Sequence, residues 1–295
     1  MRLFYCDQFE IPLPEGHKFP MSKYRLLRER LAADGFWQLQ PAQPAPVATI
    51  RLAHDGAYVD GFLNGTLPAN VMRRIGFPWS QGLVLRTLAS AGGTLGATVD
   101  AMNTGFGGTL AGGTHHAFRS EGSGFCVFND VAIAIYALRA EGRAQRAAVV
   151  DLDVHQGDGT AHFFEHDADV LTISLHGANN FPFRKQRSKI DVELPDQTGD
   201  QEYLKAVDAV LPRVFDFQPE IVFYLSGVDA LATDVLGRLA LTPDGLKQRD
   251  RAVIGAVHKA HFPLAITLGG GYSKPIDLTA EAHANTFRVA AEICG

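Results

Sequence analysis

Short, almost continuously apolar runs alternate along this chain with longer segments in which apolar residues recur every three or four positions. The first kind reads as strand at 3–5, 148–152, 170–175, 221–225 and 264–268. The second kind reads as helix at 22–33, 81–99, 128–139, 203–215 and 243–260. Strands that are apolar throughout, rather than at alternate positions, are buried on both faces. With helices between them, they predict an α/β fold built on a parallel sheet covered on both sides. No Gly/Ser linker, charge block, low-complexity tract or internal repeat divides the chain, so residues 1–295 read as one domain. The densest proline stretch, "QPAQPAPVA" at 40–48, reads as a surface loop.

In an open parallel sheet, ligands bind beyond the carboxyl ends of the strands. The polar chemistry of this chain falls there. Asp153, His155 and Asp158 follow one strand, His176 the next, "SGVDAL" with Asp229 the third, and "GGGY" with Tyr272 the last. The richest stretch is "AAVVDLDVHQGDGTAHF", 147–163. Side chains at i and i+2 of an extended segment point the same way, which predicts a shared face for Asp151, Asp153 and His155. Asp153 and His155 can ligate one ion, and Asp229 can add a third ligand from a neighbouring strand end. Two carboxylates and an imidazole suit Zn²⁺ or Fe²⁺ with a position open to water. A lone Asp-x-His is equally a capping or ion pair, and Asp229 alone is equally a turn residue. Their joint placement past strand ends is what favours a metal.

"AGGTHHAFRSEGSGFCVFND" holds His115 and His116 among glycines that permit tight turns. Adjacent histidines point in different directions and can carry different pKa values, which gives one site both a general base and a general acid. Asp151 and Asp158 remain to orient them. A bare His-His dipeptide is equally a surface pair.

Composition narrows the classes. The 295 residues are 46% hydrophobic and 20% charged, as in a soluble globular protein. A net charge of -5 without a basic cluster argues against nucleic-acid binding. No apolar run is long enough to span a bilayer, and "MRLFYCDQF" lacks signal-peptide architecture, so a cytoplasmic location is expected. Cys6, Cys126 and Cys294 form no Cys-x-x-Cys pair and read as reduced thiols packed as small hydrophobes.

"GGTHHAFRSEGSGFCVFNDVAIAI", "VVDLDVHQGDGTAHFF", "TISLHG", "SGVDALATDVLGRLALT" and "LGGGY" occur in that order, and together they resemble the zinc-dependent histone deacetylase superfamily. The likeness runs from about residue 3 to about residue 290. "IRLAHDGAYVDGFLNGTL" and "RRIGFPWS" are similar to its class IV branch and to bacterial deacetylase-like proteins near it. The resemblance implies an arginase/deacetylase-type fold with a central parallel sheet of about eight strands. It implies hydrolysis of acyl-lysine amides in proteins or peptides, with acetyl or longer acyl groups. Asp153, His155 and Asp229 would be the zinc ligands. His115 and His116 would be the acid/base pair, partnered by Asp151 and Asp158 respectively. Tyr272 would hydrogen-bond the carbonyl oxygen as it becomes an oxyanion. Gly124 and Phe125 would line the acyl-lysine tunnel. A K⁺ ion would be held by Asp151, Asp153, Ser174 and the carbonyls of His155 and Leu175. The resemblance leaves open which histidine is base and which acid, and the oligomeric state.

The chain also departs from the family. Many relatives carry an Asp near "RIGFPWS", where Ile75, Gly76, Phe77 and Pro78 stand here. That leaves room for a small acylated amine in place of a peptide. Phe181 and Phe183 are both candidates for the second tunnel wall. Arg184, Lys185, Arg187 and Lys189 read as a solvated loop. Three rival readings remain. An arginase-like ureohydrolase needs two metals, but Gly157 and Leu231 stand where further carboxylates would be wanted. An acetylpolyamine amidohydrolase wants an acidic mouth, for which Glu121 is the candidate. A non-catalytic acyl-lysine module would not need every catalytic position filled, as it is here.

Overall fold

The computed structural model describes residues 1–295. Eight strands form one sheet: β1 (Arg2–Tyr5), β2 (Gln38–Pro41), β3 (Phe106–Thr109), β4 (Ala147–Asp151), β5 (Val170–Gly177), β6 (Ile190–Leu194), β7 (Ile221–Gly227) and β8 (Leu264–Gly269). They lie in the order β2-β1-β3-β8-β7-β4-β5-β6, and every neighbouring pair is parallel. The helices are α1 (Ser22–Asp34), α2 (Val47–Ala53), α3 (Gly56–Leu63), α4 (Ala69–Ile75), α5 (Gln81–Thr104), α6 (Asp130–Ala140), α7 (Asp158–Phe164), α8 (Asp200–Phe217), α9 (Pro243–Lys259) and α10 (Ile276–Cys294).

The parallel α/β architecture follows from the apolar strands. Alternation sorts their side chains between two cores even though most positions are apolar. Ala148 and Val150 of β4, with Val222 and Tyr224 of β7, pack against α1, α8, α9 and α10. Ala147 and Val149, with Ile221 and Phe223, pack against α2, α3, α5 and α6 on the other face. Each buried Val, Ile or Phe contributes about 1.5–3 kcal/mol, which makes these two cores the main source of stability. The edge strand β6 instead alternates half-buried Ile190 and Val192 with exposed Asp191 and Glu193. Charge of this kind blunts an open sheet edge.

Three strands were not legible in the pattern. β3 is FGGT, whose glycines have low strand propensity. β2 is short and half polar, and β6 carries the charges just described. Gln40 and Pro41 close β2 rather than opening a surface loop, and Ala42 and Ala45 beyond them are buried. β5 runs two residues past the expected end, so His176 lies inside the strand and not in a site loop. Its imidazole is buried, pairs through Nδ1 with Ser174 Oγ at 3.0 Å, and is pushed down to about 4 by that burial.

Because β3, β8, β7, β4 and β5 are neighbours and parallel, the loops after them meet along one edge of the sheet. No helix is long and apolar enough to cross a membrane. The cysteines are unpaired, with Cys6 and Cys126 buried and Cys294 partly so.

Candidate active site

β4 ends at Asp151, and the chain turns before α7 begins at Asp158. The shared strand face expected for Asp151, Asp153 and His155 is therefore not what brings them together, because the last two lie beyond the strand. Asp151 turns to His115, and Asp153 and His155 turn to Asp229. Ligand atoms of Asp153, His155 and Asp229 all lie within 4.8 Å of one another. His155 Nδ1 is 2.9 Å from Asp153 Oδ1 and 3.1 Å from Asp229 Oδ2. The backbone N–H of Val154 donates to Asp229 Oδ1 at 2.9 Å, and that of His155 to Asp153 Oδ1 at 2.9 Å.

Both carboxylates are buried, and buried charges need partners. Burial opposes a charged His155, but its hydrogen bonds to Asp153 and Asp229 outweigh that and lift the imidazole to about 10. Burial, then the charge of Asp153, pushes Asp229 up. Two anionic oxygens and a ring nitrogen thus draw in a proton as countercharge. A divalent cation would displace that proton and balance the charge more completely. The donor set therefore fits a divalent metal of the Zn²⁺ or Fe²⁺ type. Gly270 lies at φ +46°, and a Cβ there would overlap the Asp229 carboxylate, so the loop after β8 closes over the cluster only as glycine.

His115 and His116 sit on the loop after β3 with ring centroids 4.1 Å apart. His115 Nδ1 is 2.7 Å from Asp151 Oδ2, and His116 Nδ1 is 2.6 Å from Asp158 Oδ1. The two imidazoles are driven apart. Burial opposes charge on His115, but Asp151 and Asp153 overcome it and raise the ring to about 9. Burial, then the charges of His115 and His155, holds His116 well below its ordinary value. Asp158 is itself pushed up to about 6 by burial. Each Nδ1 is engaged by a carboxylate, so Nε2 is the atom left to exchange protons on each ring.

Tyr272 follows β8. Burial, then nearby negative charge, lifts its phenol well above its usual range, so it stays a hydrogen-bond donor at neutral pH. Its backbone N–H donates to Asp234 Oδ2 at 2.6 Å. The Lys23 ammonium donates to the carbonyls of Gly270 and Gly271 and lies 5.0 Å from the Tyr272 ring centre.

His115, His116, Asp153, His155 and Tyr272 line one cavity of about 890 Å³. Phe125 stands beside Tyr272, with centroids 6.3 Å apart, and Phe181 packs edge-on to His116 at 4.9 Å. A Cβ on Gly124, at φ +56°, would come within 2.6 Å of His116. Of the two candidates for the second wall, Phe181 touches the histidine, while Phe183 is 86% exposed at the mouth. Glu121 is not a free acid at the mouth, because Arg74 pairs with it at 2.7 Å. Arg184 and Arg238 line the same entrance. The basic run is not all solvated loop. Lys185 donates to the carbonyls of Asn180 and Pro182, and Lys189 to that of Glu165. Ser174 and Leu175 lie within β5, with Ser174 in register with Asp151.

Sequence reasoning missed three supports. Lys23 and Asp234 hold the loop that carries Tyr272. Asp130 accepts from the N–H groups of Gly113 and Thr114 and from the hydroxyls of Thr94 and Thr114, which locks the histidine loop. A carboxylate in the first turn of a helix is too ordinary a feature to have flagged Asp130.

The family model for the histone deacetylase domain matches residues 17–289. An uncharacterized protein of Picosynechococcus sp. is 44% identical over 294 residues, 98% of each chain. Histone deacetylase 2 of Arabidopsis thaliana is 30% identical over 289 residues, 92% of this chain and 74% of that one. A histone deacetylase-like amidohydrolase of Pseudomonas aeruginosa is 34% identical over 173 residues, 54% of this chain and 46% of that one.

Proposed function

This chain belongs to the histone deacetylase family and is a hydrolase of amide bonds, and from that premise we propose that it removes acyl groups from the ε-nitrogen of lysine in proteins or peptides. The observation that carries the reading is convergence. A metal-competent trio, two carboxylate-bound histidines and a protonated phenol line or adjoin one cavity. Within the family, the segments at 50–67 and 73–80 support a place near the class IV branch.

We propose that Asp153, His155 and Asp229 hold zinc, with ferrous iron the alternative that the same donors accept. When bound, the ion supplies Lewis acidity and lowers the pKa of water. His116, held neutral, takes the proton of the attacking water at Nε2. His115, kept charged by Asp151, supplies positive charge beside the developing tetrahedral centre, and the pair returns a proton to the leaving amine nitrogen. The Tyr272 hydroxyl donates to the oxyanion, where a preorganised donor is worth most. Gly124 lets the substrate pass close to His116, and Phe125 and Phe181 flank the acyl-lysine stem. A K⁺ ion held by Asp151, Asp153, Ser174 and the carbonyls of His155 and Leu175 would stiffen the β4 and β5 ends.

The mouth supports lysine over a polyamine as the acceptor. Arg74 pairs with Glu121 and Asp196 with Arg238, so Glu121 is not free to hold a distal ammonium group, while Arg184 adds positive charge at the mouth. A cavity of about 890 Å³ leaves room for acyl chains longer than acetyl. We also propose that residues 1–295 work as one catalytic unit and that the protein is cytoplasmic, in keeping with its unpaired cysteines. A panel of acetyl-lysine peptides, long-chain acyl-lysine peptides and acetylspermidine tests the reading. Peptide turnover well above that of acetylspermidine is expected. The reverse preference would make the protein a small-amine amidohydrolase.

A further inference from the structure

The ladder between β4 and β7 stops just before the metal-competent trio. Its last bond runs from the Leu152 N–H to the Leu225 carbonyl at 3.1 Å. Beyond it no backbone bond joins the two chains, although they stay close: a Cβ on Gly227 would come within 2.4 Å of the Asp153 Cα. Arg249, on α9, is fully buried and bridges this gap. Its Nη1 donates to the carbonyl of Gly227 and, at a longer 3.4 Å, to that of Leu152. Leu152 directly precedes Asp153, and Gly227 stands two residues before Asp229. The contact comes from the core side. Leu152, Val154, Val228 and Ala230 flank the two carboxylates in sequence and share one core with Leu246 and Val253 of α9.

The guanidinium is itself held in place. Its Nε and Nη2 donate to Asp250 Oδ1 at 2.9 and 2.8 Å. Asp250 also accepts from the Tyr224 hydroxyl of β7 at Oδ1 and from Thr286 Oγ1 of α10 at Oδ2, the latter at 2.7 Å. Three elements thus fix the direction of one cation. A buried charge needs a partner, and Asp250 supplies it. Nothing in that pairing requires the cation to reach the backbone beside Asp153 and Asp229. The planar fork makes the reach possible. One edge faces Asp250, and Nη1 keeps two N–H groups, one for each carbonyl.

We propose that Arg249 is a positioning residue for the trio: it sets the spacing of the peptides that carry Asp153 and Asp229, and with it the affinity for the metal. The groups behind a metal's ligands orient them, and here the groups are two carbonyls tied to one guanidinium. The inference deepens the proposed function and rests on its metal reading.

The test uses the full chain as wild type, as Arg249→Lys, and as Arg249→Met combined with Asp250→Asn. The combined variant removes the ion pair without leaving a lone buried charge, so its metal-free Tm should lie near that of wild type. Arg249→Lys keeps a cation for Asp250, but a single ammonium does not span the carboxylate and both carbonyls. Zn²⁺ affinity is measured by competition with a chelator. It should fall roughly 10–100-fold in the combined variant, and by less in Arg249→Lys. The visible absorption of the Co²⁺-loaded protein should change shape in both, because its bands follow the arrangement of the ligands. At saturating Zn²⁺, kcat on an acyl-lysine peptide should fall with KM near wild type, since Arg249 touches no substrate. Wild-type Zn²⁺ affinity together with a wild-type Co²⁺ spectrum, whatever the Tm, would overturn the proposal and leave Arg249 and Asp250 as supports of the fold. A wild-type protein that binds no divalent ion would overturn the metal reading and this inference together, so the two failures are distinguishable. Should the combined variant not fold, Arg249→Lys decides by the same affinity and spectrum.

Discussion

The backbone N–H of Tyr272 donates to Asp234 Oδ2 at 2.6 Å, while Asp234 Oδ1 accepts the N–H groups of Leu236 and Gly237 at 2.8 and 2.9 Å. One carboxylate therefore ties the loop after β7, which carries Asp229, to the loop after β8, which carries the phenol. Asp234→Asn turns an amide N–H toward one of these donors and loosens the tie. A shift of about 1 Å in a catalytic group costs on the order of 100-fold in rate. Steady-state kinetics should show kcat reduced by roughly 10–100-fold with metal content retained. Loss of the metal instead would move the role of Asp234 from the phenol to the cluster.

Tyr272→Phe removes the donor and keeps the ring against Phe125. A fall in kcat of about 100–1,000-fold is expected, with metal content and Tm near wild type. Full activity in this variant would remove Tyr272 from the chemistry.

Gly270→Ala places a methyl group where the Asp229 carboxylate stands, on a backbone already at positive φ. Metal affinity, measured by competition with a chelator, should fall roughly 10–100-fold. Unchanged affinity would mean that the loop relaxes away from Asp229.

His54 gives a pH dependence that lies outside the site. Its Nε2 accepts the Asn129 N–H at 2.9 Å, and its Nδ1 lies 3.2 Å from the Arg119 carbonyl, so the buried ring is satisfied only as the neutral Nδ1–H form. Burial pushes it down to about 4, against about 6.5 in an unfolded chain. As pH falls through that window, the unfolded chain takes up a proton before the native one. The contribution is therefore complete above about pH 6.5 and is lost toward pH 4, by up to about 3 kcal/mol. Urea unfolding at pH 7.5, 5.5 and 4.5 should show His54→Gln losing less stability on acidification than wild type. Parallel pH profiles would rule His54 out as a source of acid lability.

The architecture was largely legible because β4, β5, β7 and β8 are fully buried and mostly apolar. β3 was not, since FGGT owes its place to neighbours on both sides rather than to propensity. Asp153, His155 and Asp229 could be read because each follows a strand end. Strand alternation does not explain their meeting, since the chain leaves the strand at Asp151. The partners of His115 and His116 were expected and are found within 2.7 Å. Lys23 and Asp234 could not be read, because the contacts that matter, Lys23 with the Gly270 and Gly271 carbonyls and Asp234 with the Tyr272 N–H, join groups distant in sequence, and neither residue sits in a recognisable pattern.

The most direct test of the account is metal analysis coupled to turnover. Purified protein is assayed on an acyl-lysine peptide before chelation, after exhaustive chelation, and after addition of Zn²⁺ or Fe²⁺. About one ion per chain should leave together with the activity, and re-addition should restore both, while Asp229→Asn should neither hold the ion nor turn over. Full activity in metal-free protein would contradict the assignment of Asp153, His155 and Asp229 as the catalytic metal site.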